Sequence, residues 1–445
     1  MFRNLQIDSR WLIIWFALLI GGLAVPQLEG IVLCYVAVRA LKSTKATLEA
    51  LLVLAFYLLG NEIFTAGFAS NLRYLILFFG FLSVMFRKSS GRNSLRTMLW
   101  VFFMIATLSS LFASYLPTIS TLKVVSFFVG TYVMVEGFAQ TRKYRTYWLK
   151  TMNTFFVFIL LSSTLFLFLG LGFERNGRGF QGIMAHPQTF GPILSVITAW
   201  FLGMWASGSK KYNGLLLLPA ISILYIFLSQ ARTGIAALTL SSMFAFLLSK
   251  QTVVNLRLKR KVRSLLLGLG IAVILSLVIY PQFITDTILP FVQKREATTT
   301  DFNELFNQSR GGLAVSSMDN FRSHPLLGIG LGVPSDAPSG ESMIQIKYIS
   351  GIPVGASVEK GFLPSAILEE MGAIGMALTL LILLVLFRKV RQASFFTLWI
   401  VAAALFINIG EAVLYSLGGP GFFVWMIFAL GYSYDLFKQQ PRTLP

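Results

Sequence analysis

The residues of this chain best suited to chemistry are arginines, two histidines and a few carboxylates placed between apolar segments. Arg232 stands out among them. It sits in the stretch SQARTG, Ser229 to Gly234, with apolar residues on both sides and almost no loop to hold it in water. A guanidinium so placed is expected to point into a polar cavity, where its planar fork can grip two phosphate oxygens. The plainer alternative is an arginine that caps a helix end or snorkels. Arg175, Arg178 and Arg310 are supporting candidates for the same anion, while Glu359 or His324 could act as a general base. His324 could equally brace the glycine-rich turn Gly328 to Gly332, Glu359 could pair with a loop arginine, and His186 before Pro187 reads as the start of a helix.

Other chemistries find little support. Cys34 is the only cysteine, which removes a disulfide framework and a thiolate metal site within one chain. No paired-carboxylate spacing or His-x-x-x-His motif appears, so neither a bound metal nor a cofactor is expected. Glycines 328, 330 and 332 lack the preceding strand and the third spaced glycine of a nucleotide site.

The elements that must position these residues follow from composition. With 56% hydrophobic and 12% charged residues, the chain has too few polar groups to cover its apolar segments with a polar shell. Bilayer is the expected solvent. Apolar runs predict helices at 11–25, 28–42, 47–60, 71–86, 96–113, 118–138, 147–173, 188–206, 213–229, 231–249, 264–281, 361–387, 394–412 and 419–437. The expected fold is thus all-α, a polytopic integral membrane protein of roughly 14 (12 to 14) transmembrane helices. The first pair and the pair around Arg232 could each be one broken helix instead. Residues 1–445 would form one transmembrane domain, with 282–360 as a long non-cytoplasmic loop holding short helices. One of these, amphipathic, is expected over Phe302 to Phe321.

The net charge of +19 is read from its placement. Basic clusters at 39–45, 87–96, 142–150, 210–211, 257–263 and 388–391 alternate with connections that carry most of the acids, which assigns the basic side to the cytoplasm and both termini with it. No basic stripe interleaves with stacking aromatics, so nucleic acid is not an expected partner; membrane lipids are. The first apolar run has no small-residue cleavage site and reads as an uncleaved span. Arginines on the acidic side run against the orientation bias, so they are expected to bind an anion or to pair with loop acids. At Arg232, the depth suits a lipid-linked diphosphate.

Two segments, QSRGGLAVSSMDNFRSHPLLGIGLGV and GRGFQGIMAHPQTFGP, resemble the O-antigen polymerase and ligase superfamily of bacterial envelope glycan assembly. Arg310 followed by Pro325, Leu326, Leu327, Gly328, Ile329 and Gly330 is similar to that family's outer arginine and Pro-hydrophobic-Gly-x-Gly turn. Gly182 to Pro187 resembles its Gly-x-x-x-His-Pro element, and Ser229 to Gly234 its Ser-x-Ser/Ala-Arg-Thr/Ser-Gly helix start. Glu359, Lys360, Phe362, Leu363, Glu370, Met371 and Gly372 resemble a further element in which ligases place a histidine near Glu359.

The resemblance covers roughly residues 170–390. It implies glycosyl transfer from an undecaprenyl-diphosphate-linked saccharide, without a metal, on the non-cytoplasmic face of the inner membrane. Other polysaccharide-assembly proteins are possible partners. The carboxylate in place of the ligases' imidazole favours a polymerase that builds O-antigen or exopolysaccharide. A ligase that transfers glycan to lipid A core is the second expectation, and a transporter of lipid-linked oligosaccharide the third; a transporter's ionisable groups would lie deeper in the membrane.

Overall fold

The computed structural model describes residues 7–88, 91–173, 179–207, 216–249, 312–335, 346–349, 352–356 and 360–434. These residues form fourteen α-helices in chain order: α1 (Ser9–Ala24), α2 (Leu28–Ala40), α3 (Thr44–Leu59), α4 (Ala69–Met85), α5 (Ser94–Phe112), α6 (Pro117–Gln140), α7 (Arg145–Phe168), α8 (Pro187–Ser207), α9 (Leu217–Leu228), α10 (Arg232–Leu248), α11 (Gly312–Ser323), α12 (Leu363–Ala393), α13 (Phe395–Phe406) and α14 (Gly419–Ser433). Every helix expected from an apolar run is present except 264–281, which lies outside the described residues. The helical class holds with one addition, an antiparallel hairpin of β1 (Ile346–Ile349) and β2 (Ile352–Ala356) within the long connection.

Helix starts follow local chemistry. Side chains of Asp8, Ser43, Asn93 and Ser394 accept backbone N–H groups of the first turns of α1, α3, α5 and α13. Prolines open α6, α8, α12 and α14, where the missing N–H costs nothing. Before α8, His186 accepts the Gln188 N–H at Nδ1 (3.1 Å), as its position before Pro187 led us to expect of a helix start.

Among the described residues five helical stretches are long and apolar enough to cross a membrane: Ser94–Phe112, Pro117–Gln140, Arg142–Phe168, Pro187–Ala206 and Leu363–Ala393. Further apolar helices, such as α9 and α10, are shorter. The twelve residues of α9 rise about 18 Å, less than the ~30 Å of a hydrocarbon layer; residues 213–215 of the expected segment lie outside the described residues.

Helix α8 runs through the core, enclosed by α9, α10 and α13, with Ile193, Ile197, Trp200 and Phe201 fully buried. Large apolar side chains such as Ile13, Ile31, Phe78 and Leu247 are instead exposed on the outer surface of the bundle, the arrangement a lipid solvent permits.

The basic clusters within the described residues gather at shared helix ends. Arg39 pairs with Glu49 (2.5 Å), Lys45 lies over the Tyr147 ring (3.6 Å), Arg87 donates to the Leu41 carbonyl (2.9 Å), and Arg96 pairs with Glu136 (2.9 Å). The opposite ends are laced by residues 179–186: Phe180 N–H donates to Leu228, Ala185 N–H to Leu59, and Ile183 accepts from Asn61.

Candidate functional site

A break in α12 organises the site. Gly372 has φ 64° and ψ −164° inside this helix, a conformation that strands the helix carbonyls before it and the N–H groups after it. The segment Pro325 to Gly330 fills the gap. Ile329 and Gly330 donate to the carbonyls of Glu369 (2.9 Å) and Glu370 (3.0 Å), while Ala373 and Ile374 donate to those of Pro325 (2.8 Å) and Leu326 (3.3 Å). Backbone meets backbone here, so a Cβ on Gly328 would overlap the Glu370 and Met371 main chain and one on Gly372 the Leu326 main chain. The Pro-hydrophobic-Gly-x-Gly turn and the Glu-hydrophobic-Gly step are thus two halves of one joint.

The joint fixes two carboxylates side by side. Glu369, fully buried, pairs with Lys360 Nζ (2.8 Å) and accepts from Ser317 Oγ (2.6 Å) and Asn320 Nδ2 (2.8 Å). Asn320 also donates to the Ser335 carbonyl (2.6 Å) and Lys360 to Ser335 Oγ (3.2 Å), which ties α11, the glycine turn and the start of α12 together. The expected amphipathic helix is therefore helical over Gly312–Ser323, with its earlier part outside the described residues. Its buried contact is polar: Ser317 is buried, whereas Leu313, Met318 and Phe321 are only half-buried.

Glu370 turns the other way, toward the Gly332 backbone. With Lys123, Lys360, Gly361, Glu411, Tyr415 and Ser416 it lines a cavity of about 170 Å³. Tyr415 bonds to Thr379 (2.5 Å), and burial pushes its phenol above the ordinary tyrosine range, so it stays protonated. Ammonium and carboxylate groups facing one small polar space can bind an anion and exchange a proton with a bound hydroxyl.

Of the residues singled out in the sequence, Arg232 opens α10 and is exposed. The turn before it is tight, with Gln230 at φ 55°, and Gly410 packs against Thr233, one residue from the cavity-lining Glu411. Arg232 itself lines neither that cavity nor its neighbour described below. His324 is exposed at the end of α11, where its carbonyl accepts the Gly328 N–H (3.0 Å), so its main chain supports the glycine turn. Arg175, Arg178, Arg310 and Glu359 lie outside the described residues. Arg322 pairs with Asp319 (2.8 Å) on the surface.

Sequence reasoning passed over Lys123, Glu369 and Arg73, and weighed Glu370 only within a motif. The signal was present: each is an ionisable residue inside a segment expected to be apolar, which is costly in a membrane unless it faces a partner or a cavity. Lys123 belongs to α6 and Glu370 to α12, so these two charges lie on helices and not in the connections.

Fold and site together define a helical protein of membrane character with a charged cavity at the ends of its helices. Residues 217–359 match the model of a family described as O-antigen ligase. The match includes Arg232, Arg310, His324, Glu359 and the Pro325–Gly330 turn, in agreement with the O-antigen polymerase and ligase superfamily that the motifs resemble. No curated protein matches the chain.

Proposed function

We propose that this protein is a polymerase of lipid-linked saccharides, joining undecaprenyl-diphosphate-linked repeat units into O-antigen or exopolysaccharide at the non-cytoplasmic face of the inner membrane. The observation that carries this reading is the match of residues 217–359 to the O-antigen ligase family, with a carboxylate, Glu359, where the ligases are expected to hold a histidine. The gathering of basic clusters at shared helix ends supports a cytoplasmic assignment for those ends and for both termini. The full 12 to 14 spans, with 282–360 as the outer loop of a single domain, belong to the same reading.

In the proposed reaction an acceptor sugar hydroxyl attacks the anomeric carbon of the donor. The bond from that carbon to the diphosphate oxygen breaks, its electron pair leaves with undecaprenyl diphosphate, and the hydroxyl proton passes to a base. Guanidinium groups of Arg232, Arg178, Arg310 and Arg175 would stabilise the charge that develops on the leaving group, and Glu359 or His324 would take the proton. No metal enters the proposal.

Purified protein supplied with undecaprenyl-diphosphate repeat units alone, read on a gel for glycan length, tests the reading. A ladder supports a polymerase. Transfer only once lipid A core is added makes the protein a ligase. Translocation without a new glycosidic bond makes it a transporter. Arg232→Ala and Glu359→Gln should each abolish the ladder with normal membrane insertion, and near-normal activity in both would remove these residues from the site.

A further inference from the structure

A second polar space adjoins the cavity beside Glu370. It occupies about 110 Å³ between α4 and α6, lined by Arg73 and Tyr74 on one side, Leu122 and Lys123 on the other, and the connection Tyr415 to Gly418 at its back. The two spaces share Lys123, Tyr415 and Ser416.

Its cations are poorly satisfied. Arg73 donates from Nη2 to the Tyr74 hydroxyl (2.7 Å), but its buried Nε has no hydrogen-bond partner among the described residues. Lys123 makes no hydrogen bond or ion pair among the described residues; its stem packs against Gly332, and Glu370 is the carboxylate that faces it. A buried donor left without a partner is destabilising, more so when charged, unless an acceptor arrives to meet it. The outer lip of the crevice is of another character. Tyr74 and Leu122 are 46% and 42% exposed on the lipid-type surface of the bundle, while Ile119 behind them is buried. Cations inside and apolar side chains at the mouth match an amphiphile with an anionic head.

We propose that the crevice between α4 and α6 is an anion site, separate from Arg232, that takes the phosphate head of a membrane lipid from the side. The head sits between Arg73 and Lys123, and the chain leaves past Tyr74 and Leu122. That this lipid is one of the saccharide carriers rests on the function proposed above; the binding of a phosphate head does not.

The full chain in phosphatidylcholine nanodiscs, titrated with undecaprenyl phosphate and followed by native mass spectrometry, tests the site without any transfer reaction. Its failure and a failure of polymerisation are therefore separate results. Arg73→Gln should weaken retention of the probe about tenfold, the loss of one charge-assisted contact, and Arg73→Lys should restore part of it. Arg322→Gln, at a surface pair with Asp319 that lines neither space, should leave this occupancy unchanged. Inorganic pyrophosphate, which lacks the chain, should bind far more weakly. A photoreactive residue at Tyr74 should capture the probe more than one at Ile13, an exposed control position. Retention by Arg73→Gln equal to that of the unaltered protein would overturn the site, and so would equal capture at Tyr74 and Ile13. Inorganic pyrophosphate binding as tightly as the lipid would overturn the sideways approach.

Discussion

Glu369→Gln is the sharpest test of the joint between α12 and the glycine turn. The carboxylate is fully buried and meets Lys360 at 2.8 Å, Ser317 at 2.6 Å and Asn320 at 2.8 Å. Glutamine keeps the shape and one acceptor oxygen but removes the charge, leaving a lysine side chain that is only 4% exposed without its counter-ion. Breaking one partner of a buried pair typically costs ~3 to 5 kcal/mol. If that cost falls on the docking of α11 and the glycine turn, their opening equilibrium should rise by about 10² to 10⁴. Hydrogen–deuterium exchange of peptides covering 325–335 reads this directly, because the Ile329 and Gly330 amides donate to Glu369 and Glu370 only while docked. The exchange rate should rise by a comparable factor, whereas peptides from α8 should exchange as before. Replacing both partners, Lys360→Met with Glu369→Met, should recover much of the protection, since an apolar pair leaves no stranded charge. Unchanged exchange in Glu369→Gln would refute the argument that this pair holds the turn in place.

Two further outcomes follow from local geometry. Gly372→Ala places a side chain at φ 64° against the Leu326 main chain, and should lower stability by at least about 2 kcal/mol, seen as a lower melting temperature in detergent; wild-type melting would show that the break tolerates a Cβ. His186→Ala removes the acceptor of the Gln188 N–H at the start of α8, and should cost about 1 kcal/mol of stability while leaving the glycan ladder intact; loss of the ladder in folded protein would give His186 a role in the chemistry instead.

Much of the secondary structure was legible in the residues. Apolar runs, capping side chains such as Asn93 and first-turn prolines such as Pro117 act within a few residues of themselves, so the helices stand where those signals place them. Arg232 as the first residue of a helix was legible for the same reason.

The grouping of the site is another matter. That Glu369 and Glu370, adjacent in the chain, serve different ends follows from the break at Gly372 and from what packs there: Lys360, Ser317 and Asn320 around one, Gly332 and the cavity beside the other. Lys123 could be recognised as unusual from its apolar surroundings alone, yet its neighbours Glu370 and Tyr415 lie far along the chain. The sequence by itself determined a helical, membrane-type chain, the basic clusters and the motifs that resemble one superfamily. Only the tertiary structure decided which charges share a space, because charges at these low exposures are stable only beside a partner or a polar cavity, and such partners come from distant segments brought together by packing.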